Sequence, residues 1–392
     1  MPWFTILIFF FSFNSDSVKA SAYDLFIEAS SLENQGKYEE AIKVYQKAIE
    51  YDPSSTELYR NIARLYTRLK KYKEALHYAH KALKIAPEDV ENIKLTGTIY
   101  LQKLDINKGI KYFEMAQTLM PDDEEIMINL SYLYEGMNLF HKAEELLERI
   151  TKTNPSLESY FRLGQISARM NNHSKALKYY YKALEFDSNS VPVLVGIGAS
   201  YDFIDKPDSA LIFYQIASTL DTANLNLKKR LVDLYTKLDR FDDLIDLCYE
   251  ILRKNPFEFE VRRNLGYALY KNNRKLQALE QFLIGVGMNP KDSYGLFQAA
   301  RIYVDLGQLT MALATIKDAL KINPDNPDLL TYLGFIYLDL KKNAEADATF
   351  KRAIIKGGDR AQLYYLLGIT ATLRRDLKTA YQYYQKAIEV NS

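Results

Sequence analysis

The most constraining feature of this sequence is a proline that returns every 34 residues. The spacing holds from Pro53 through Pro87 and Pro121 to Pro155. After an interruption it resumes at Pro256, Pro290 and Pro324. The 101 positions from Pro155 to Pro256 are three periods less one, so the register continues with a single deletion. A unit of about 34 residues cannot bury its own apolar face and is stabilised by stacking on its neighbours. The sequence therefore predicts a linear array of small units.

Further columns share this period when the units are aligned on the prolines. An almost always small residue stands 24 positions before each proline, at Ala29, Ala63, Gly97, Ser131, Gly164, Gly198, Val232, Gly266, Ala300, Gly334 and Gly368. Three positions later comes a large residue, most often Tyr, and twelve positions after the small residue comes Ala in most units. Small residues let two helices approach closely, and a large residue one turn away fills the neighbouring gap. Each of eleven units is predicted to be a helix, a turn, a second helix and a stop at the proline.

These columns closely resemble the tetratricopeptide repeat. The first unit matches its pattern almost throughout, in Leu25, Ala29, Leu32, Gly36, Ala41, Tyr45, Ala48 and Pro53. The resemblance extends over residues 22–392 and implies an all-α fold, a right-handed α-solenoid of antiparallel helix pairs whose first helices line a concave face. It also implies binding of proteins or peptides, without indicating which.

The first twenty residues differ from everything that follows. A short apolar run within residues 1–13 is followed by polar residues and then by small residues at Val18, Ala20 and Ala22, as in cleaved secretory signals. We predict a signal peptide at 1–20 with cleavage near Ala20 or Ala22, and an exported bacterial protein, periplasmic or envelope-associated, with no membrane span after cleavage. Because no Lys or Arg precedes the apolar run, retention of the segment as an anchor is the alternative.

Composition argues against several kinds of function. The 51 basic and 50 acidic residues are balanced, so we expect no nucleic-acid partner. Cys248, the single cysteine, is predicted to be a buried apolar filler. His77 and His80 lack a third ligand in the repeat frame, and the repeats leave no segment for a catalytic domain. We therefore predict a non-catalytic chain without cofactor or metal.

Two sets of residues are candidates for a binding groove. In the family geometry, the second, fifth, ninth, twelfth and thirteenth positions of each unit face the groove. Arg60, Arg64 and Arg68 lie four apart on one helix, with Lys94 of the next unit nearby. This basic ridge is suited to an acidic segment or a carboxyl terminus. The alternative is a solvated face with Glu57 and Glu91 as counter-charges.

The second set is aromatic and lies further along the chain. It comprises Phe161, Phe203, Arg263, Tyr267, Tyr270, Tyr294, Phe297, Arg301, Phe335 and Tyr365. Aromatic side chains supply large, rigid contact area, which favours an extended peptide or an amphipathic helix as ligand. The alternative is that several of these rings only pack between neighbouring first helices.

Residues 155–256 are the irregular part of the array. Lys228 stands where a large apolar residue is usual, Val232 and Leu244 replace smaller residues, and the fifth and sixth units lack the closing proline. We expect the helices of the seventh unit to sit farther apart. We also predict a change of superhelical curvature in this stretch or a soft boundary between two arms, with neutral drift as the alternative.

These observations favour an exported, non-catalytic scaffold or adaptor that binds protein or peptide segments. One alternative is a structural subunit of an envelope or secretion assembly, self-associating through an uncapped C-terminal repeat. Another is a carbohydrate- or polymer-handling accessory protein whose aromatic groove stacks sugars.

Overall fold

The computed structural model of the protein describes residues 22–391, so the predicted signal segment at 1–20 lies outside the described residues. Residues 22–391 form 22 α-helices and contain no β-strand, which confirms the predicted all-α solenoid class. None of these helices combines the length and apolar character needed to cross a membrane. The chain divides into an N-terminal unit that ends at Ser200 and a C-terminal unit that begins at Tyr201.

The N-terminal unit consists of successive antiparallel helix pairs. Its helices are α1 (22–34), α2 (Tyr38–Tyr51), α3 (Thr56–Arg68), α4 (Tyr72–Ile85), α5 (Val90–Gln102), α6 (Ile106–Leu119), α7 (Glu124–Gly136), α8 (Phe140–Thr153), α9 (Leu157–Arg169), α10 (His173–Leu184) and most of α11 (Val191–Phe203). Odd-numbered helices are the first helices of their pairs and even-numbered helices are the second.

The C-terminal unit continues the same alternation. Its helices after α11 are α12 (Pro207–Leu220), α13 (Leu225–Lys237), α14 (Phe241–Lys254), α15 (Phe259–Lys271), α16 (Lys275–Met288), α17 (Ser293–Asp305), α18 (Leu309–Ile322), α19 (Pro327–Asp339), α20 (Asn343–Ile355), α21 (Arg360–Leu373) and α22 (Leu377–Asn391).

Each helix pair turns at a residue with left-handed backbone, fifteenth in its unit. The φ angle is 76° at Gly36 and 73° at Gly307, where glycine adopts it without steric cost. In the other pairs a residue with a side chain takes this position, such as Leu104 at 66°. The Gly36 N–H donates to the Glu33 carbonyl and the Lys37 N–H to the Leu32 carbonyl, both at 2.9 Å. These two hydrogen bonds form a Schellman motif that caps the C-terminus of the first helix.

The small column of the sequence marks the closest approach within a pair. A methyl carbon at Gly164 would lie 2.4 Å from the Tyr180 ring, and one at Gly334 would lie 2.3 Å from the Phe350 ring. Each ring stands sixteen positions after its glycine, on the second helix. The glycine on one helix and the ring on the other therefore interlock, as the small and large columns predict.

The prolines and the deletion both lie in the connections between pairs. α2 and α14 each end two residues before the proline of their unit. The missing residue of the fifth unit shortens the connection between α8 and α9, and both helices keep ordinary lengths. Ser156 begins α9 with a capping box that also involves Ser159. The deletion therefore leaves the helices themselves intact.

The seventh unit accommodates its buried lysine by an ion pair, and its enlarged small-column residue by a smaller side chain on the second helix. Lys228 is buried and its Nζ lies 2.5 Å from Glu250 Oε1 on α14. Val232 occupies the small column, and the side chain sixteen positions later is the compact Cys248, with both residues buried. Burial raises the pKa of the Cys248 thiol to about 12. As expected for the seventh unit, α13 and α14 pack less closely against each other than α15 and α16 do. The predicted change of curvature across residues 155–256 stays a prediction.

Candidate functional site

The basic ridge predicted in the N-terminal unit is paired with acidic side chains. On α3, Arg60 Nη1 lies 3.7 Å from Asp89 Oδ1. Arg64 and Arg68 share one carboxylate, with their Nη2 atoms 3.6 Å and 3.9 Å from Glu33 Oε1. The Arg68 guanidinium also lies over the Tyr38 ring, 5.6 Å from its centroid. The three arginines therefore line one helix face but do not present uncompensated charge.

Lys94 on α5 is neutralised in the same way. Its Nζ lies 3.2 Å from Glu91 Oε1 and also pairs with Glu125. Burial lowers the pKa of the Lys94 ammonium, but hydrogen bonds with Glu125 and Glu91 outweigh that effect and raise the pKa overall. Of the two counter-charges suggested by the sequence, Glu91 makes this pair, while Glu33, Asp89 and Glu125 had not been recognised.

Most of the predicted aromatic set meets on the first helices of the C-terminal unit. We call this surface the aromatic–arginine face; it comprises Arg263, Tyr267 and Tyr270 of α15, Tyr294, Phe297 and Arg301 of α17, and Tyr332 and Phe335 of α19. The Arg263 guanidinium lies 4.3 Å from the Tyr294 ring centroid. The Arg301 guanidinium lies 5.5 Å from the Tyr270 ring and 5.9 Å from the Phe297 ring. Cation–π contacts thus join α15 to α17.

Ring contacts extend the face from α17 to α19. Phe297 and Tyr332 meet edge to face, with centroids 5.3 Å apart, a favourable geometry for aromatic pairs. The Tyr332 ring lies 6.5 Å from Phe335, which packs at 5.9 Å on Phe350 of the core. Burial raises the pKa of Tyr332 to about 12. Tyr332 was absent from the predicted set because it is sixth in its unit, outside the positions assigned to the groove.

The remaining side chains of α15 border the face. The Tyr270 hydroxyl donates to Asp305 Oδ2 at 2.8 Å, and Lys275 Nζ lies 3.5 Å from the same carboxylate oxygen. Burial and this hydrogen bond raise the pKa of Tyr270. Tyr267 packs on Phe241 of α14, with ring centroids 6.0 Å apart. Tyr270 is thus fixed by its hydroxyl, and Tyr267 by its ring.

Three residues of the predicted set do not belong to this cluster. Phe161 in the N-terminal unit packs on Tyr180, with centroids 6.0 Å apart. Phe203 is 65% exposed at the end of α11. Tyr365 on α21 packs on Tyr384 at 5.8 Å. The single groove predicted from the sequence is therefore a compact face on α15, α17 and α19, with three outlying rings.

The arginines of the aromatic–arginine face lack acidic partners. Within residues 22–391, no carboxylate oxygen lies within 4.0 Å of a side-chain nitrogen of Arg263 or Arg301. Both side chains are partly buried. Arg301 Nη1 donates instead to Gln298 Oε1 at 3.1 Å, and the buried Arg263 Nε makes no hydrogen bond. Over the same described range, no group of three or more His, Cys, Asp or Glu side chains could hold a metal ion.

Stacked antiparallel helix pairs, with an aromatic and cationic surface on the first helices, define a helical-repeat scaffold. The chain belongs to the tetratricopeptide repeat family. A model described as TPR repeat matches residues 34–70 and 300–341, and models described as tetratricopeptide repeat match residues 56–89, 124–156, 157–190 and 336–391. Together the matched segments cover more than half of the chain. Proteins of this family bind protein or peptide partners.

Similarity to individual proteins is weaker than similarity to the family. The BBSome complex member BBS4 homolog of Drosophila melanogaster is 21% identical over 215 residues, covering 54% of this chain and 44% of that protein. BBSome complex member BBS4 of Bos taurus is 29% identical over 232 residues, covering 59% and 44%. The chain thus spans less than half the length of these relatives. The solved structure of Naa15/Naa10 bound to HypK-THB is 14% identical, covers 92% of this chain and 67% of that one, and has a TM-score of 0.50, which supports the fold alone.

Proposed function

We propose that this protein is a non-catalytic scaffold that binds an extended segment of a partner protein on its aromatic–arginine face. The observation that carries the proposal is two runs of contacts across neighbouring first helices. One joins Arg263 to Tyr294, and the other leads from Tyr270 through Arg301, Phe297 and Tyr332 to Phe335. Tyr and Arg, together with Trp, are the residues that most often dominate binding energy at protein interfaces. Rings already held by neighbours lose little conformational freedom when a ligand binds.

The test uses a displayed library of short random peptides selected on the full chain. Affinities of the selected peptides are then measured by fluorescence anisotropy. We expect Phe297→Ala to weaken binding about tenfold or more, because it removes the ring that links Arg301 to Tyr332. Leu276→Ala is the matched control, since Leu276 is 68% exposed on the second helix α16. Peptides that bind the Phe297→Ala variant as tightly as the unmodified chain would contradict the proposal.

The proposal includes export to a bacterial periplasm or envelope. Its support is the signal-like pattern of residues 1–20. Expression of the full chain with a C-terminal tag, followed by cell fractionation and sequencing of the mature N-terminus, tests this part. We expect cleavage near Ala20 or Ala22 and recovery outside the cytoplasm; an intact chain recovered from the cytoplasm would argue against it.

A second candidate function is that of a subunit in a multiprotein assembly. The supporting observation is that two similar proteins are named as members of a complex. Light scattering on the protein purified from its native source distinguishes the two roles. A stable complex of fixed stoichiometry would favour the subunit, and a monomer that binds peptides reversibly would favour the adaptor.

A further inference from the structure

Arg263 and Arg301 are two partly buried cations that have no ion-pair partner among residues 22–391. The carboxylate nearest to Arg301 along its helix is Asp305, one turn away, and it is engaged by the Tyr270 hydroxyl and by Lys275. The Arg263 guanidinium lies over the rings of Phe259 and Tyr294. A partly desolvated guanidinium gains more from an incoming anion than a fully hydrated one.

The ring contacts leave these arginines able to bind a ligand. A guanidinium stacked on an aromatic face uses that face and keeps its in-plane N–H donors for hydrogen bonds. The Arg301 group is further oriented by Gln298, which is itself buried. Both cations also act on one phenol: burial raises the pKa of Tyr294, while Arg263 and Arg301 oppose that rise. The two cations therefore belong to one electrostatic site.

We propose that the segment bound on this face is acidic, with aspartate or glutamate side chains that pair with Arg263 and Arg301 and apolar residues that pack on Phe297, Tyr332 and Phe335. This inference rests on the proposed function, because it specifies the ligand of the same face. A planar carboxylate matches the two-donor edge of a guanidinium. Alternation of side chains along an extended peptide lets acidic and apolar residues contact different parts of the face.

The test compares individual synthetic peptides obtained from the library selection on the full chain. We expect the selected peptides to combine Asp or Glu with apolar residues. Replacing the acids by Asn and Gln is expected to lower affinity about tenfold or more. Arg263→Gln and Arg301→Gln are each expected to reproduce that loss, and Arg301→Lys to restore part of it. Arg60→Gln, in the paired N-terminal set, is the matched control and leaves affinity unchanged. Circular dichroism and melting verify that each variant is folded.

The outcomes separate this inference from the proposed function. Peptides that lose affinity with Phe297→Ala, yet bind both arginine variants normally or tolerate Asn and Gln, would overturn the acidic ligand and leave the binding face in place. A library without binders, or peptides indifferent to Phe297→Ala, would overturn the proposed function itself. If affinity fell when the peptide C-terminus was amidated but not when its Asp and Glu side chains were replaced, the assignment to side-chain carboxylates would be overturned.

Discussion

The N-terminal and C-terminal units place basic residues at the same repeat positions but surround them differently. Arg64 and Arg301 are both ninth in their units, and each meets the twelfth residue of the preceding unit, which is Glu33 in one case and Tyr270 in the other. Likewise Lys94 and Arg263 are both fifth, and they meet the second residue of the next unit, Glu125 or Tyr294. The same repeat geometry thus produces a ridge of ion-paired cations in the N-terminal unit and two arginines without ion pairs in the described part of the C-terminal unit.

The difference shows that a cation's position in the repeat does not decide whether it is available to a ligand. A carboxylate opposite the cation satisfies its charge within the protein, whereas a ring supports the cation without supplying a negative charge. For Arg64, Lys94, Arg263 and Arg301 this neighbour is the residue 31 positions away, on the adjacent first helix. We therefore expect the affinity of the first helices for an acidic ligand to depend on the residues beside the basic side chains as well as on those side chains themselves.

The largest expected effect comes from giving the C-terminal face the N-terminal arrangement. Tyr270→Glu with Tyr294→Glu would place carboxylates beside Arg301 and Arg263, as Glu33 and Glu125 lie beside Arg64 and Lys94. We expect affinity for an acidic peptide to fall about 100-fold, because the arginines become paired and the new charges repel the ligand. Fluorescence anisotropy measures the loss.

The matched control for that variant removes the same rings without adding charge. Tyr270→Gln with Tyr294→Gln is expected to lose only the contribution of the rings, so its affinity lies between those of the unmodified chain and the Glu variant. Equal losses in the two variants would show that the rings act by packing alone. The contrast between the two units would then have no electrostatic basis.

The sequence was sufficient for the features that repeat and insufficient for those that depend on neighbouring units. The columns at Gly164 and Gly334 predicted the close helix approach, since an interlocking pair within one unit imposes the same sizes in each repeat. Tyr332 was missed because its contact with Phe297 depends on side-chain direction between two units. The pairing of Glu33 with Arg64 was missed for the same reason, although the constant 31-residue separation is a signal that could have revealed it.

A second prediction tests whether the two units share their internal packing despite their different surfaces. Gly164→Leu in the N-terminal unit and Gly334→Leu in the C-terminal unit each force atoms into a buried ring, Tyr180 or Phe350. Overpacking of this kind costs about 1–3 kcal/mol of unfolding free energy. Chemical denaturation followed by circular dichroism is expected to give losses of similar size.

Two glycines that meet no neighbouring atom are the controls for this packing test. Nothing lies within 4 Å of a methyl carbon placed at Gly136 on α7 or at Gly287 on α16. Leucine at either position is expected to leave stability unchanged or raise it slightly, because leucine is the better helix former. If Gly164→Leu and Gly334→Leu behaved like these controls, the interlocking of glycine and ring would not be the element common to the two units.

The smallest expected effect comes from releasing the N-terminal ridge. Glu33→Gln removes the carboxylate shared by Arg64 and Arg68, and the lost stability should be below about 1 kcal/mol because both arginines are about half exposed. The freed cations should then retain acidic peptides weakly, as a second site that disappears at high ionic strength. Glu28→Gln, which alters an exposed residue on the same helix, is the control. Isothermal titration is done on variants that also carry Arg263→Gln and Arg301→Gln, so that only the N-terminal ridge can bind the peptide. If neither Glu33→Gln nor Glu28→Gln gave measurable binding, pairing with Glu33 would not be what prevents the ridge from binding acidic peptides.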